Sequence, residues 1–195
     1  MLNALCLLKE CTMLFETYSY ESMSNLAKSE LFSYRYKVFV DILGWDLDTP
    51  QGIEVDQFDS PAAHYILSRD DGGNIVGCAR LLPTTQPYLL SEVFPDLLSE
   101  AEPPESPRIW ELSRFTTIDV NAYQSNMNPR AYSKVTRDLL DECLRCAKQN
   151  GAKQLVTVSP IGIERLVRIM GYKISRMGPV VDYDGHIIVA CNIEI

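Results

Sequence analysis

The chain is short of positive charge. Its 18 Lys and Arg face 26 Asp and Glu, a net charge of −8 over 195 residues. A nucleic-acid footprint needs a basic face, so nucleic acid is not expected as the main partner, although a local basic patch stays open. Histidine is scarcer still: His64 and His186 are the only two, far apart, and neither stands beside a serine or cysteine in a nucleophile context. A Ser or Cys hydrolase triad is therefore not expected. Long apolar runs are missing as well. No stretch reaches the roughly 20 residues of a membrane span. The short run Leu2 to Leu8 lacks a basic flank and a small-residue cleavage site. A soluble, cytoplasmic bacterial protein with no membrane partner is the expectation. The six cysteines (Cys6, Cys11, Cys78, Cys143, Cys146, Cys191) are scattered among apolar residues and read as reduced, mostly buried thiols. Cys143 and Cys146 have the spacing of half a zinc site. No second pair and no clustered histidines accompany them, so no metal is expected.

What is present fits one domain spanning 1–195, large enough to bury a core without staples. Residues 22–43 read as a helix. Ser22 or Ser24 caps it, Leu26, Leu31, Tyr34, Val38 and Leu43 recur near helical spacing, and Gly44 closes it. The irregular stretch Trp45 to Asp59 follows. With Asp41 just before it, this region holds six acids (Asp41, Asp46, Asp48, Glu54, Asp56, Asp59), the pattern of a solvated loop or of a lid over a ligand. HYILSR, a turn at 70–74 and IVGCARLL read as a β-hairpin. A short helix around 89–98 and a rigid connector at 102–107 come next. Beyond the strand around 109–116, a helix from Pro129 or Ala131 to about Asn150, a strand at 154–159, a helix at 161–170, a strand at 172–176 and a final run at 185–195 complete the order. The class is α/β: an αβα sandwich around a mixed, largely antiparallel sheet.

The stretch RIWELSRFTT, Arg108 to Thr117, is the anomaly. Strand alternation puts Ile109, Glu111, Ser113 and Phe115 on one side and Trp110, Leu112, Arg114 and Thr116 on the other. Both sides are apolar enough for an interior strand, yet each carries an ion. Arg80 sits just as oddly in IVGCARLL. Buried ions are costly unless paired and hydrogen-bonded. Partners for them must come from elsewhere in the chain.

These residues match a pattern. From about Tyr34 to the end, the chain resembles the acyl-homoserine-lactone synthases, the autoinducer synthases of quorum sensing. Arg35, Phe39 and Trp45 within RYKVFVDILGW, Asp56 and Asp59 in EVDQFD, Arg80 in GCARLLPTT, and Glu111 and Arg114 in WELSRF fill the family's charged and aromatic positions. The resemblance implies a fold similar to the GCN5-related N-acetyltransferases, with a cleft between two splayed strands. It implies that Arg35, Asp56, Asp59, Arg80, Glu111 and Arg114 form one mutually paired cluster supporting a site for S-adenosyl-L-methionine, a substrate and not a cofactor.

The activity implied is acyl transfer from acyl carrier protein to the amine of S-adenosylmethionine, then lactonisation with release of methylthioadenosine. Glu111 is the candidate base, with Arg114 and Arg80 beside it as catalytic residues. Arg35, Phe39, Trp45, Asp56 and Asp59 would bind the substrate. Thr157 matches a position where threonine accompanies 3-oxo-acyl products, and it suits a packing role on a strand equally well. Pocket walls are expected from Met127, Leu155, Ile161, Leu166, Met170 and Met177. An acidic carrier would dock on Lys148, Lys153, Arg165, Arg168, Lys173 and Arg176, and a monomer is expected. One rival is an acyl-CoA N-acyltransferase, but its phosphate-gripping turn wants glycine, and AYQSNMNPRAY has none. The other is a non-catalytic binding protein, which would be expected to lose part of the charged set.

Overall fold

The computed structural model describes residues 13–122, 129–183 and 185–195, with side chains left out at 129–133. Among the described residues eight strands form one sheet: β1 (Leu14–Ser19), β2 (His64–Arg69), β3 (Ile75–Pro83), β4 (Ile109–Thr116), β5 (Gln154–Pro160), β6 (Ile174–Arg176), β7 (Val181–Tyr183) and β8 (His186–Glu194). Their spatial order is β1-β2-β3-β4-β5-β8-β6, with β7 also on β8. Neighbours run antiparallel except β4 and β5, which are parallel. The expected hairpin is present: Asp70 accepts the Gly72 and Asn74 N–H groups, and Gly73 takes a positive φ of 80° to turn the chain from β2 to β3.

Helices cover both faces. On one lie α1 (Asn25–Arg35), the short α2 (Leu89–Glu92) and a 3-10 turn at Pro95–Leu98, packed through Leu31, Tyr34, Leu90, Leu97 and Leu98. On the other lie α3 (Pro129–Gln149) and α4 (Ile161–Ile169), through Leu139, Leu140, Cys143, Cys146 and Val167. Cys78, Cys143, Cys146 and Cys191 are buried and free; Cys6 and Cys11 lie outside the described residues.

The first helix departs from expectation in two ways. Its buried stripe is Ala27, Leu31, Tyr34 and Val38, whereas Leu26 is 71% and Leu43 40% exposed. The stripe must fit the sheet, and one position of phase turns Leu26 to solvent. Regular α geometry also stops at Arg35, and the chain continues as a π-helix from Tyr36 to Ile42, with Leu43 N–H reaching Val38 O at 2.9 Å. Such wide turns are frequent at functional sites. Here the turn leads straight into the acidic loop. Ser24 is the cap, its Oγ accepting the Ala27 N–H at 3.1 Å. Ser24→Ala is expected to cost about 1 kcal/mol in urea unfolding, and a change below a few tenths would show that α1 is held by packing alone.

Candidate active site

The parallel pair is where the sheet opens. β4 and β5 are in register for only three residue pairs, Ile109 with Gln154, Trp110 with Leu155 and Glu111 with Val156. Beyond Glu111 the strands part, β4 following β3 and β5 following β8. Backbone groups along the inner edges of that fork have lost their ladder partners, and Glu111 stands at its apex.

Strict alternation fails in β4, and the failure builds the site. Between Cys78 and Arg80 the β3–β4 register slips, so Arg114 and Phe115 together oppose Ala79. Arg114 takes a φ of +52°, a conformation that costs a non-glycine residue roughly 1–2 kcal/mol. Cys78, whose thiol burial pushes up to about 12, donates to the Arg114 carbonyl oxygen at 3.4 Å. The bulge turns Arg114 onto the face of Glu111 and Ser113, and it sends Phe115 to join Trp110 and Leu112 on the α3 face. The simple alternation read from sequence had both side chains on the wrong side.

On the α1 face Arg35, Arg80 and Arg114 meet three acids, and these are Glu54, Asp56 and Asp59. Arg35 donates through Nε to Glu54 and through its two Nη atoms to Asp59 at 2.7 and 3.0 Å. Arg80 donates to Ser113 Oγ at 3.1 Å, to Asp59 at 3.0 Å and to both oxygens of Asp56. Arg114 donates to Glu54 at 2.9 and 3.1 Å and to Asp56 at 2.8 Å. Tyr65 OH adds a 2.7 Å bond to Asp59. Three cations thus balance three acids in a dry site, which removes most of the penalty each would suffer alone.

Shifts in pKa follow from this pairing. Burial alone would lower Arg35, but Asp59 and Glu54 more than reverse it and leave the guanidinium raised. Burial alone would raise Glu54 and Asp59, but Arg35 with Arg114, and Arg35 with Arg80, hold them below the ordinary carboxylate range.

Glu111 is not a member of this network, contrary to the expectation from sequence. Its oxygens accept the backbone N–H groups of Leu89 at 3.0 Å and Leu90 at 2.8 Å, at the start of α2. Its place in the ion balance is taken by Glu54, which sequence reading left among the loop acids. Burial raises the Glu111 pKa, and the two N–H donors and the nearby arginines offset this only in part.

The cluster is closed except at one end. Arg35, Arg80, Glu54 and Asp59 have side-chain exposures of 1% or less, against 14% for Asp56 and 7% for Arg114. Trp45 is partly exposed, stacked on buried Phe39 at 4.7 Å, and the Arg114 guanidinium lies over both rings. Arg114 spends its Nε and Nη2 on the acids; no described residue takes a hydrogen bond from its Nη1.

Across the sheet a narrow apolar pocket sits under the fork. Leu112, Phe115, Leu140, Thr157, Ile163 and Val167 line it, with Ser159, Glu164, Ile174 and Ile193. Thr157 is buried and its Oγ1 lies 3.2 Å from Ser159 Oγ. Of the walls expected from sequence, Met127 lies outside the described residues, and Leu155, Ile161, Leu166, Met170 and Met177 do not line this pocket. Met177 packs on the α1 face instead. A larger open cavity of about 290 Å³, between α1 and the β2–β3 turn, touches none of these residues. Among the described residues no group of side chains could hold a metal, and no helix is long and apolar enough to cross a membrane.

The surface cations are only partly free. Arg168 and Arg176 are paired with Glu164, and Lys173 with Glu194, while Lys148, Lys153 and Arg165 are exposed.

A mixed sheet that forks at its parallel pair, with helices on both faces, defines the N-acetyltransferase-like class of α/β folds. The likeness to Escherichia coli ElaA, with a TM-score of 0.66 at 14% identity over 94% of this chain and all of that one, concerns the fold alone. Closer relatives give the family. The profile described as autoinducer synthase matches residues 19–195. The chain is 48% identical over 167 residues to the acyl-homoserine-lactone synthase of Acinetobacter nosocomialis, 86% of this chain and 91% of that one. It superposes with a TM-score of 0.81 on TofI, solved in a ternary complex with an inhibitor and MTA (40% identity; 92% and 90% covered). With the AHL synthase LasI the score is 0.83 (33% identity; 94% and 90% covered). The chain belongs to the autoinducer synthase family.

Proposed function

We propose that the protein is an acyl-homoserine-lactone synthase that transfers an acyl group, 3-oxo-substituted, from acyl carrier protein to S-adenosyl-L-methionine. The observation that carries this is the open end of the ionic cluster, Arg114 with Asp56 beside Trp45, set at a strand fork with an apolar pocket beneath it. Arg114 Nη1 receives the methionine carboxylate. Asp56 receives the amine. The Phe39–Trp45 stack faces the adenosine and the sulfonium, to which an aromatic face is attractive. Arg35, Asp59, Arg80 and Glu54 have no open surface and act as positioning residues that hold Arg114 and Asp56 in place.

The amine must lose a proton to attack. Glu111, raised by burial, takes it through a water relay. The C–N bond forms at the thioester carbonyl, and backbone N–H groups along the fork stabilise the oxyanion. The C–S bond then breaks, and the carrier thiol leaves with a proton. The carboxylate next attacks the γ-carbon, the C–S⁺ bond breaks, and neutral methylthioadenosine departs. Holding the chain bent is the protein's main task in that step. The Thr157 hydroxyl in an otherwise apolar pocket suits a 3-oxo group. Exposed Lys148, Lys153 and Arg165 suit an acidic carrier.

The test is purified protein with S-adenosylmethionine and matched acyl thioesters on carrier protein and on CoA, followed by mass spectrometry. Lactone with equimolar methylthioadenosine, faster from the carrier and from 3-oxo chains, is the expected result. Lactone from CoA thioesters alone would overturn the donor. No lactone from any thioester would overturn the synthase reading.

A further inference from the structure

The apolar pocket under the fork has one acid in its lining, and that acid is tied to two cations on the solvent side. Glu164, on the sheet-facing side of α4, is only 2% exposed and lines the pocket directly. Arg176 Nη2 reaches its Oε2 at 2.8 Å, and Arg168, one helical turn on, holds Oε1. Arg176 belongs to β6, so the ion pairs bridge α4 to the far edge of the sheet. Sheet register puts Thr157, Cys191 and Arg176 in one row, on one face. The row begins at the pocket hydroxyl and ends at the latch. Both arginines are about half exposed, at 57% and 41%. The acid is dry and the cations are wet, so this group is the boundary between pocket and solvent.

The pocket is nearly closed in this state, its free space of about 20 Å³ being room for roughly one water molecule. An acyl chain needs much more. Packed core strands and helices do not yield easily, whereas Glu164 is held from the solvent side by two half-exposed arginines whose long side chains are free to swing away.

We propose that Glu164, Arg168 and Arg176 form an ionic latch that ends the acyl pocket and so sets the longest acyl chain the enzyme accepts. This rests on the reading of the pocket as the acyl site. Short chains fit while the latch is shut. Longer ones must part Glu164 from its arginines, and the cost of exposing and unpairing that acid falls on the long substrate alone. Hydrophobic pockets discriminate a methylene by roughly 10- to 200-fold, so a latch of this kind has a readable effect.

The experiment compares kcat/KM for carrier-protein thioesters of 3-oxo-hexanoyl, 3-oxo-octanoyl, 3-oxo-decanoyl and 3-oxo-dodecanoyl chains in the wild type, in Glu164→Ala and in Arg168→Ala/Arg176→Ala. The double variant changes only surface side chains and keeps the core if Glu164→Ala does not fold. The ratio of 3-oxo-dodecanoyl to 3-oxo-hexanoyl rates is expected to rise at least tenfold in either variant, and to rise in the wild type with added salt. A ratio unchanged within twofold, while lactone is still made, overturns the latch. Failure of the wild type to make lactone from any of the four overturns the underlying acyl-site reading, and the latch with it.

Discussion

Glu54→Ala is expected to destabilise the protein by about 3–5 kcal/mol, the cost of breaking a buried ion pair from one side. The variant leaves Arg35 Nε and two Arg114 donors facing a dry site without their carboxylate. Against a typical total stability of roughly 5–15 kcal/mol, that is a large share. Asp48→Ala serves as control, because Asp48 lies on the same loop and is exposed; a shift within about 0.5 kcal/mol is expected there. Guanidinium unfolding of both variants makes the comparison. A Glu54 effect no larger than the control's would mean that the cluster contributes nothing to folding.

The same acid has a pH signature. Glu54 and Asp59 both titrate below their ordinary values in the folded state. Their stabilisation is therefore complete above about pH 4, the unfolded-state value, and is lost as pH falls towards the folded-state values. Wild-type stability should drop on that acid limb, and Glu54→Ala should drop less steeply there. Equal slopes would assign acid unfolding to other groups.

Glu111→Gln is expected to lower kcat/KM by roughly 10²- to 10⁴-fold, the usual contribution of a positioned general base. The residue also accepts two backbone N–H bonds at α2, so loss of turnover alone does not prove a chemical role. Calorimetry separates the two. Retained S-adenosylmethionine binding with turnover lost marks the base, whereas binding lost together with turnover marks a structural cap. A pH profile adds an independent check. Only the ionised carboxylate accepts a proton, and burial raises its pKa. The rate should therefore rise with pH through a midpoint above the ordinary glutamate value of about 4.3. A Gln variant within threefold of wild type would remove Glu111 from the chemistry.

Much of this site was legible in one dimension. Arg80, Glu111 and Arg114 stand out because ions in apolar strands demand partners, whereas Arg35, Asp56 and Asp59 look like ordinary helix and loop charges and were singled out only by the resemblance to the autoinducer synthases. The π-helix was not legible, because Tyr36 to Ile42 has no residue that forbids ordinary α geometry. Tyr65 and Ser113 escaped notice too, since a buried strand tyrosine or serine has an unremarkable packing role until its partner is known. Glu54 was visible as an acid but not as a member of the cluster. Six acids crowd residues 41–59, and spacing alone does not say which of them turn inward.

The amino-acid order by itself determined the α/β class, the hairpin, the approximate helix positions and the presence of strand ions, Arg80, Glu111 and Arg114, that needed partners. Those depend on periodicity, turn chemistry and desolvation, which act locally or through composition. Only the tertiary structure decided which acids pair with which arginines, and that Arg114 changes face. A bulge slips one strand against another by one residue, and the slip is set by cross-strand packing that no single segment contains. The tertiary structure likewise decided that Glu164 lines the apolar pocket and pairs with Arg176 at its border. That boundary joins α4 to β6, and the two become neighbours only when β8 lies down between β5 and β6.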